Sequence, residues 1–257
     1  MVFYHNINPV LFSIGPFEIR YYGLIFVLGF IITYYMLIYF SKKKFIELNK
    51  NEISDLLFYS ILGVIIGSRL IYVLFYNLSY FISNPIEIFY LWQGGLSFHG
   101  GLLGTIVAIV IYRRKKKFNI WRLGDAIVIP LALALGFGRI ANFINGELYG
   151  RITSLPWGVK FKDAEGFRHP SQLYESAKNF FIFGVLWFLK DKRFPPGLLF
   201  WTFITLYGLL RFLIEFVRQP DSQLGFIFLN LSMGQLLCIP MFLLGSYMIY
   251  RLKYKNI

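Results

Sequence analysis

The sequence predicts an all-α polytopic membrane protein, with about seven transmembrane helices and a small external head between the fourth and fifth. Three observations carry that prediction. Of the 257 residues only 15% are charged, whereas 57% are hydrophobic and 20% aromatic, with a mean hydropathy of +0.58; an average soluble domain has about 25% charged residues. Apolar runs of roughly 20 residues, the length that crosses a bilayer, recur along the chain. Basic residues cluster beside those runs, and the period-2 alternation of a membrane barrel is absent. The whole of 1–257 reads as one transmembrane domain, with 144–172 as the head.

Residues 1–20 are mixed and aromatic, as expected at a membrane interface. Residues 1–16 lack a basic leader and a small-residue cleavage site, so the first helix is expected to insert directly. Span one runs over about 21–40 and stops at Ser41-Lys42-Lys43-Lys44. Span two covers about 53–76, and the four-residue spacings Gly63-x-x-x-Gly67 in it and Gly100-x-x-x-Gly104 in span three let helices approach closely. The loop 77–93 contains no Lys or Arg, and its tyrosines and Trp92 suit an interface. Span three, about 94–112, ends in Arg113-Arg114-Lys115-Lys116-Lys117, and span four covers about 123–143. The head follows, polar and rich in Gly and Pro, with Trp157-Gly158-Val159-Lys160-Phe161 as a candidate short strand. Span five, about 173–189, precedes Lys190-Asp191-Lys192-Arg193. Span six, about 196–216, has proline near its first turn, where a missing N–H is tolerated. Span seven, about 232–250, contains Cys238, expected as a small buried hydrophobe in the inner half of the span, away from any site. One cysteine builds neither a disulfide framework nor a thiolate metal site.

Charge orients this arrangement. Alternate loops hold Lys42, Lys43, Lys44 and Lys50, then Arg113 to Lys117 with Arg122, then Lys190, Lys192 and Arg193, then Arg251, Lys253 and Lys255, sixteen in all. The opposite side holds seven: Arg20, Arg151, Lys160, Lys162, Arg168, Lys178 and Arg218. The positive-inside rule puts the N-terminus outside and the C-terminus in the cytoplasm. The same clustering explains the net charge of +13 as contact with anionic lipid, so nucleic acid is not an expected partner.

Polar groups interrupt the outward halves of five spans. They are Arg20, Tyr21 and Tyr22 in span one; Arg69, Tyr72 and Tyr76 on one helical face of span two; Gly94-Gly95 and His99-Gly100-Gly101 at the start of span three; Arg139, Asn142, Asn145 and Glu147 at the end of span four; and Tyr207, Arg211, Glu215 and Arg218 along one stripe of span six. An ionisable group at membrane depth costs about 2.5–3.5 kcal/mol on insertion scales, so five such sets at one depth point to a single site. Each has a plainer reading: Arg211–Glu215 as a structural i,i+4 pair, Arg69 snorkelling to the head groups, the tyrosines as ordinary interfacial residues. Together, arginines that bind phosphate bidentately, glycines that admit close backbone approach and a histidine that moves a proton near neutral pH suit an anionic lipid head group. One histidine at membrane depth indicates no metal site, and no cofactor motif is present. Gly-x-Ser-x-Gly and phosphate-loop motifs are also missing.

These residues fall into blocks that together resemble the prolipoprotein diacylglyceryl transferase family. The blocks are Tyr22-Gly23; Gly67-x-Arg69-x-x-Tyr72; His99-Gly100-Gly101; Gly138-Arg139-x-Ala141-Asn142-Phe143-x-Asn145-x-Glu147-x-x-Gly150; His169-Pro170-Ser171-Gln172-Leu173-Tyr174-Glu175; Tyr207-x-x-x-Arg211-x-x-x-Glu215; and Gly234-Gln235. The resemblance implies a bacterial cell (inner) membrane enzyme. It would move the sn-1,2-diacylglyceryl group of phosphatidylglycerol to the lipobox cysteine thiol of a preprolipoprotein signal peptide. Glycerol 1-phosphate would leave, in the first step of lipoprotein maturation. On that reading Arg139 and Arg211 bind the phosphate, and His99 takes the thiol proton with Glu215 as second candidate. Asn142, Asn145 and Glu147 orient head group and arginines, and Tyr22, Tyr72, Tyr207, Arg69, Gly94, Gly100 and Gly150 complete the substrate contacts. Competing classes are a lipid transporter, which usually brings inverted repeats and a midplane site, and a binding scaffold without chemistry.

Overall fold

The structure is a computed structural model and describes residues 3–15, 17–220, 225–228 and 230–254. It is mostly helical. In chain order the elements are β1 (Phe3–Tyr4), β2 (Val10–Ile14), β3 (Phe17–Arg20), α1 (Tyr21–Lys42), α2 (Lys50–Tyr76), α3 (Leu78–Ser83), two 3-10 turns (Pro85–Phe89 and Leu91–Gln93), α4 (Phe98–Lys115), α5 (Ile120–Asn145), β4 (Val159–Lys160), α6 (Ser171–Leu189), α7 (Leu198–Glu215), β5 (Phe226–Phe228), β6 (Leu231–Ser232) and α8 (Met233–Tyr254). Among the described residues five helices, α1, α2, α5, α7 and α8, are long and apolar enough to cross a membrane. Large side chains such as Phe75, Ile66, Phe26 and Phe188 stand exposed on the helix surfaces. Such surface is unfavourable in water and stable against acyl chains, as in a polytopic membrane protein.

The chain forms two compact units, Leu37–Ile120 and Met1–Met36 with Trp121–Ile257. In the first, α2 starts in a capping box. The Asn49 side chain accepts from the N–H of Asn51 and Glu52, and Glu52 reaches back to the Asn49 N–H at 3.0 Å. Helices α2 and α4 then touch backbone to backbone. A Cβ on Gly63 or Gly67 would strike the Gly104 or Gly100 carbonyl, and one on Gly100 or Gly104 would strike Gly67 or Gly63. The four-residue glycine spacings thus form one mutual seam, as small-residue motifs do in lipid.

In the second unit, α5 to α8 pack through small residues and shared backbone bonds. Gly208 of α7 lies against the Cys238 carbonyl and Gly245 of α8 against Thr205. Ser176 Oγ of α6 donates to Gly136 O of α5 at 2.9 Å. The buried Asp125 of α5 caps α7, accepting from the Gly197 N–H at 2.7 Å and the Phe200 N–H at 2.8 Å. Gly197 takes a left-handed φ of +94° at that start.

The segment between α5 and α6 has its own small core of Val159, Phe161 and Ala164, with Phe143 and Tyr149 against it. The candidate strand contains β4, which pairs in parallel with β1, so the N-terminal residues are tied to this segment. His5 lies under it, Nε2 at 2.6 Å from Phe143 O. Within residues 1–20, read as an interfacial stretch, β2 and β3 form an antiparallel hairpin. Its large apolar residues mask the two-residue period in sequence.

Candidate functional site

The second unit brings together residues remote in sequence around one carboxylate. Glu175, in the first turns of α6, is 2% exposed. Its Oε2 lies 3.2 Å from Arg139 Nε of α5 and 3.5 Å from Lys178 Nζ, and its Oε1 accepts from Arg211 Nη1 of α7. Arg211 Nη2 reaches Glu215 Oε2 at 2.6 Å one turn along α7. Glu215 Oε1 in turn accepts from Ser232 Oγ at 2.9 Å, while Gly234 leaves room that a Cβ would take from the carboxylate. Gln235, fully buried at the start of α8, accepts from the Ser232 N–H at 3.0 Å. Charges withdrawn from water to this degree are retained only when paired, as each is here, although Glu215 Oε2 has an ion-pair contact and no aligned hydrogen bond. Lys178 Nζ also sits 3.8 Å from the ring centroid of Tyr207, a cation–π contact that strengthens where water is excluded.

A second set branches from Arg139. Its Nη1 lies 3.4 Å from Asn142 Oδ1. Asn142 Nδ2 and Asn145 Nδ2 both donate to Glu147 Oε1, at 2.8 and 3.2 Å. The turn that returns Glu147 to Asn142 requires left-handed backbone at Gly146, φ +70°, and Leu148, φ +58°. Gln172 Nε2 of α6 holds the Glu147 carbonyl at 2.6 Å, and Ser171 Oγ the Leu148 carbonyl at 3.0 Å. Gly150 donates to His169 O at 2.8 Å and is bridged to Arg218; a Cβ there would meet the Val217 carbonyl and His169. Burial, helped by Arg211, pulls the Arg218 guanidinium below its ordinary range. Burial likewise lowers His169, which favours its neutral ring. Tyr22, at the start of α1, is exposed.

In the other unit Arg69 is buried and its guanidinium is bound to four backbone carbonyls. It donates to Ile88 O at 2.8 Å, Gly94 O at 2.7 Å, Gly95 O at 3.2 Å and Glu87 O at 2.5 Å, and lies over the Phe81 ring. Tyr72 stacks on Tyr76 with ring centroids 5.7 Å apart and leaves no room for a Cβ on Gly95. Arg69 and Tyr72 thereby shape the loop that leads to His99. Ser97 accepts from the Gly100 N–H as the cap of α4, so His99 stands in the helix's first turn, exposed and edge-on to Phe98. Gly94 is exposed, with φ +82°, and Gly100 is buried in the seam with α2. Among the described residues no group of three His, Cys, Asp or Glu gathers as a metal site would.

Two features went unread in the sequence. Span five carries its own polar stripe, Gln172, Glu175, Ser176 and Asn179 at i, i+3, i+4 and i+7, all buried. The helical period was the available signal. Cys238 is buried as expected, but it is only six residues into α8 and lies against Gly208 of α7, one turn before Arg211. The inner-half placement is therefore corrected: Cys238 is near the beginning of α8, as it already is of the 232–250 span, and so at the end opposite the basic Arg251 and Lys253.

Comparison with known proteins follows the same blocks. The sequence model of the prolipoprotein diacylglyceryl transferase family matches residues 9–251. The phosphatidylglycerol–prolipoprotein diacylglyceryl transferase of Geobacter sulfurreducens is 48% identical over 242 residues, 93% of each chain. Those of Aeromonas hydrophila and Francisella tularensis subsp. mediasiatica are each 44% identical. The alignments cover 96% of this chain and 91% and 93% of theirs.

Proposed function

The chain belongs to the prolipoprotein diacylglyceryl transferase family, and on that premise we propose that it joins the diacylglyceryl group of phosphatidylglycerol to a lipobox cysteine through a phosphate site built on Arg139 and Arg211. The thiol sulfur of the preprolipoprotein attacks the glyceryl carbon that carries the phosphate. A C–S bond forms, the C–O bond to phosphate breaks, and glycerol 1-phosphate leaves. The observation that carries this reading is that Arg139 and Arg211, 72 positions apart in sequence, meet at the two oxygens of one buried carboxylate. Two guanidinium groups so held stabilise charge developing on a phosphate leaving group, and need no reorganisation when it forms.

The other roles follow from chemistry. The thiolate is the nucleophile and a free cysteine titrates near 8.5, so a proton acceptor is needed. His99 fills that role, since it is exposed at a helix start and followed by two glycines; Glu215 is the alternative. Asn142, Asn145 and Glu147 orient the glycerol head and Arg139. Tyr22, Tyr72 and Tyr207 bind the head group, with Gly94 allowing close approach; Gly100 and Gly150, expected to touch substrate, instead serve packing against Gly67 and against His169 and Val217, and Arg69 contributes by holding the Gly94–Gly95 loop. We place the protein in the bacterial cell membrane as one transmembrane domain of seven spans. The N-terminus and the 144–172 head face outward and the C-terminus is cytoplasmic, in keeping with the asymmetry of basic loops.

The test is incubation of the purified chain with phosphatidylglycerol and a lipobox peptide, read by peptide mass. A diacylglyceryl gain on cysteine, lost in Arg139→Ala and Arg211→Ala, is the expected result. Near-normal lipidation by both variants overturns the phosphate assignment. An active His99→Gln beside a dead Glu215→Gln moves the base to Glu215.

A further inference from the structure

The contacts at Glu175 contain more charge than a pair of arginines requires. Arg139, Lys178 and Arg211 are all in ion-pair contact with Glu175, and Arg211 also with Glu215. Three cations and two carboxylates leave one positive charge over. Among the groups in ion-pair contact, the two arginines alone with Glu175 and Glu215 would be neutral, with only the field of Arg218 left to attract a phosphate. Lys178 supplies the difference. Its side chain is 2% exposed and is fixed on both sides, by Glu175 at 3.5 Å and by the Tyr207 ring at 3.8 Å. Such a lysine neither exchanges with water nor reaches a surface partner. Arg218 is also within electrostatic reach of Glu175. Glu175 meanwhile touches the arginines through different oxygens, so its carboxylate sets the distance between the two guanidinium groups.

We propose that Glu175 and Lys178 form a positioning pair for the transfer reaction: Glu175 spaces Arg139 and Arg211 for one phosphate, and Lys178 restores the positive charge that Glu175 removes, so that the site prefers an anionic lipid head group. This rests on the phosphate reading above. Neither residue touches the reacting atoms; both act through the arginines. Charge and spacing make separate predictions. Loss of charge weakens binding of the anionic lipid in ground and transition states alike, which raises KM. Loss of spacing harms the alignment reached only in the transition state, which lowers kcat.

The experiment is steady-state kinetics of the purified full chain in mixed micelles, with phosphatidylglycerol and a lipobox peptide, beside thermal unfolding of each variant. Lys178→Met is expected to raise KM for phosphatidylglycerol about tenfold with kcat within about twofold, the scale of one nearby buried charge, and Lys178→Arg to restore it. Glu175→Gln is expected to lower kcat about tenfold or more. The double variant keeps the wild-type net charge, so its KM returns toward wild type while kcat stays low. Should Glu175→Gln not fold, Glu175→Asp serves, since it keeps the charge but withdraws it from the arginines and lowers kcat more than it raises KM. A Lys178→Met enzyme with unchanged KM and only a lower Tm assigns Lys178 to structure and overturns the proposal, as does a Glu175→Gln or Glu175→Asp enzyme with normal kcat. Arg139→Ala and Arg211→Ala are measured in parallel. If they are impaired while the Glu175 and Lys178 variants are normal, only the positioning pair fails; if they too are normal, the phosphate reading fails.

Discussion

Asn142 donates through Nδ2 to Oε1 of Glu147 at 2.8 Å, and this bond folds the end of α5 back on itself. Asn145 donates to the same oxygen at 3.2 Å. Asn142 is buried and also meets Arg139, whereas Asn145 is only half-buried. Hydrogen bonds to charged groups contribute about 1.5–3 kcal/mol, and more of that is lost where water cannot replace them. Asn142→Ala is therefore expected to slow peptide lipidation by more than about tenfold, and Asn145→Ala by about threefold or less. Initial rates with one lipobox peptide check this. Equal losses would mean that Asn145 reaches the substrate itself.

Gly104 of α4 is the tightest point of the seam with α2, since a Cβ there would strike the Gly63 carbonyl. Overpacking of this kind typically costs about 1–3 kcal/mol. Gly104→Ala should lower the unfolding temperature in detergent. Gly184→Ala on α6, where no atom lies within 4 Å of the added Cβ, should leave it unchanged or raise it, because alanine is the better helix former by about 1 kcal/mol. A Gly104→Ala protein as stable as Gly184→Ala would show that α2 and α4 separate freely.

That seam was legible in sequence because two glycine pairs at four-residue spacing have one use in lipid, close helix approach. The helices were legible for a similar reason: apolar length and flanking charge both report membrane thickness. The partner of Arg139 and Arg211 was not. Glu175 belongs to the polar stripe at the start of span five, which the helical period could have shown, but its pairing with two arginines contributed by other helices is a tertiary fact that the period does not encode. Arg69 shows the reverse. Its motif marked it as a head-group ligand on charge alone, yet its partners are four carbonyls from a loop some twenty residues away, and carbonyls carry no signature in a sequence.

Arg69 supports that loop through a planar fork, with Nε and both terminal nitrogens each on a different carbonyl or pair of carbonyls. Lysine is a single point charge on a flexible stem and does not span them. Arg69→Lys is expected to behave like Arg69→Met. Both should speed hydrogen exchange of the backbone amides in 87–97 and reduce lipidation together. If Arg69→Lys keeps wild-type exchange but loses activity, the guanidinium serves the substrate rather than the loop.

Asp125 gives a test of stability separate from chemistry. Its two carboxylate oxygens accept from the Gly197 and Phe200 N–H groups, and nothing in the Glu175 cluster touches it. Loss of an N-cap costs about 0.5–2 kcal/mol, and a buried N–H left without an acceptor about 1–3 kcal/mol. Asp125→Ala loses both acceptors. Asp125→Asn keeps one oxygen but turns an N–H toward an N–H, so it should fall between alanine and wild type. The expected order of unfolding temperature is wild type, Asp125→Asn, Asp125→Ala, with lipidation per folded molecule near wild type at low temperature. An Asp125→Ala protein that unfolds at the wild-type temperature yet fails to lipidate peptide would remove the cap from the account of α7 and place Asp125 in the reaction.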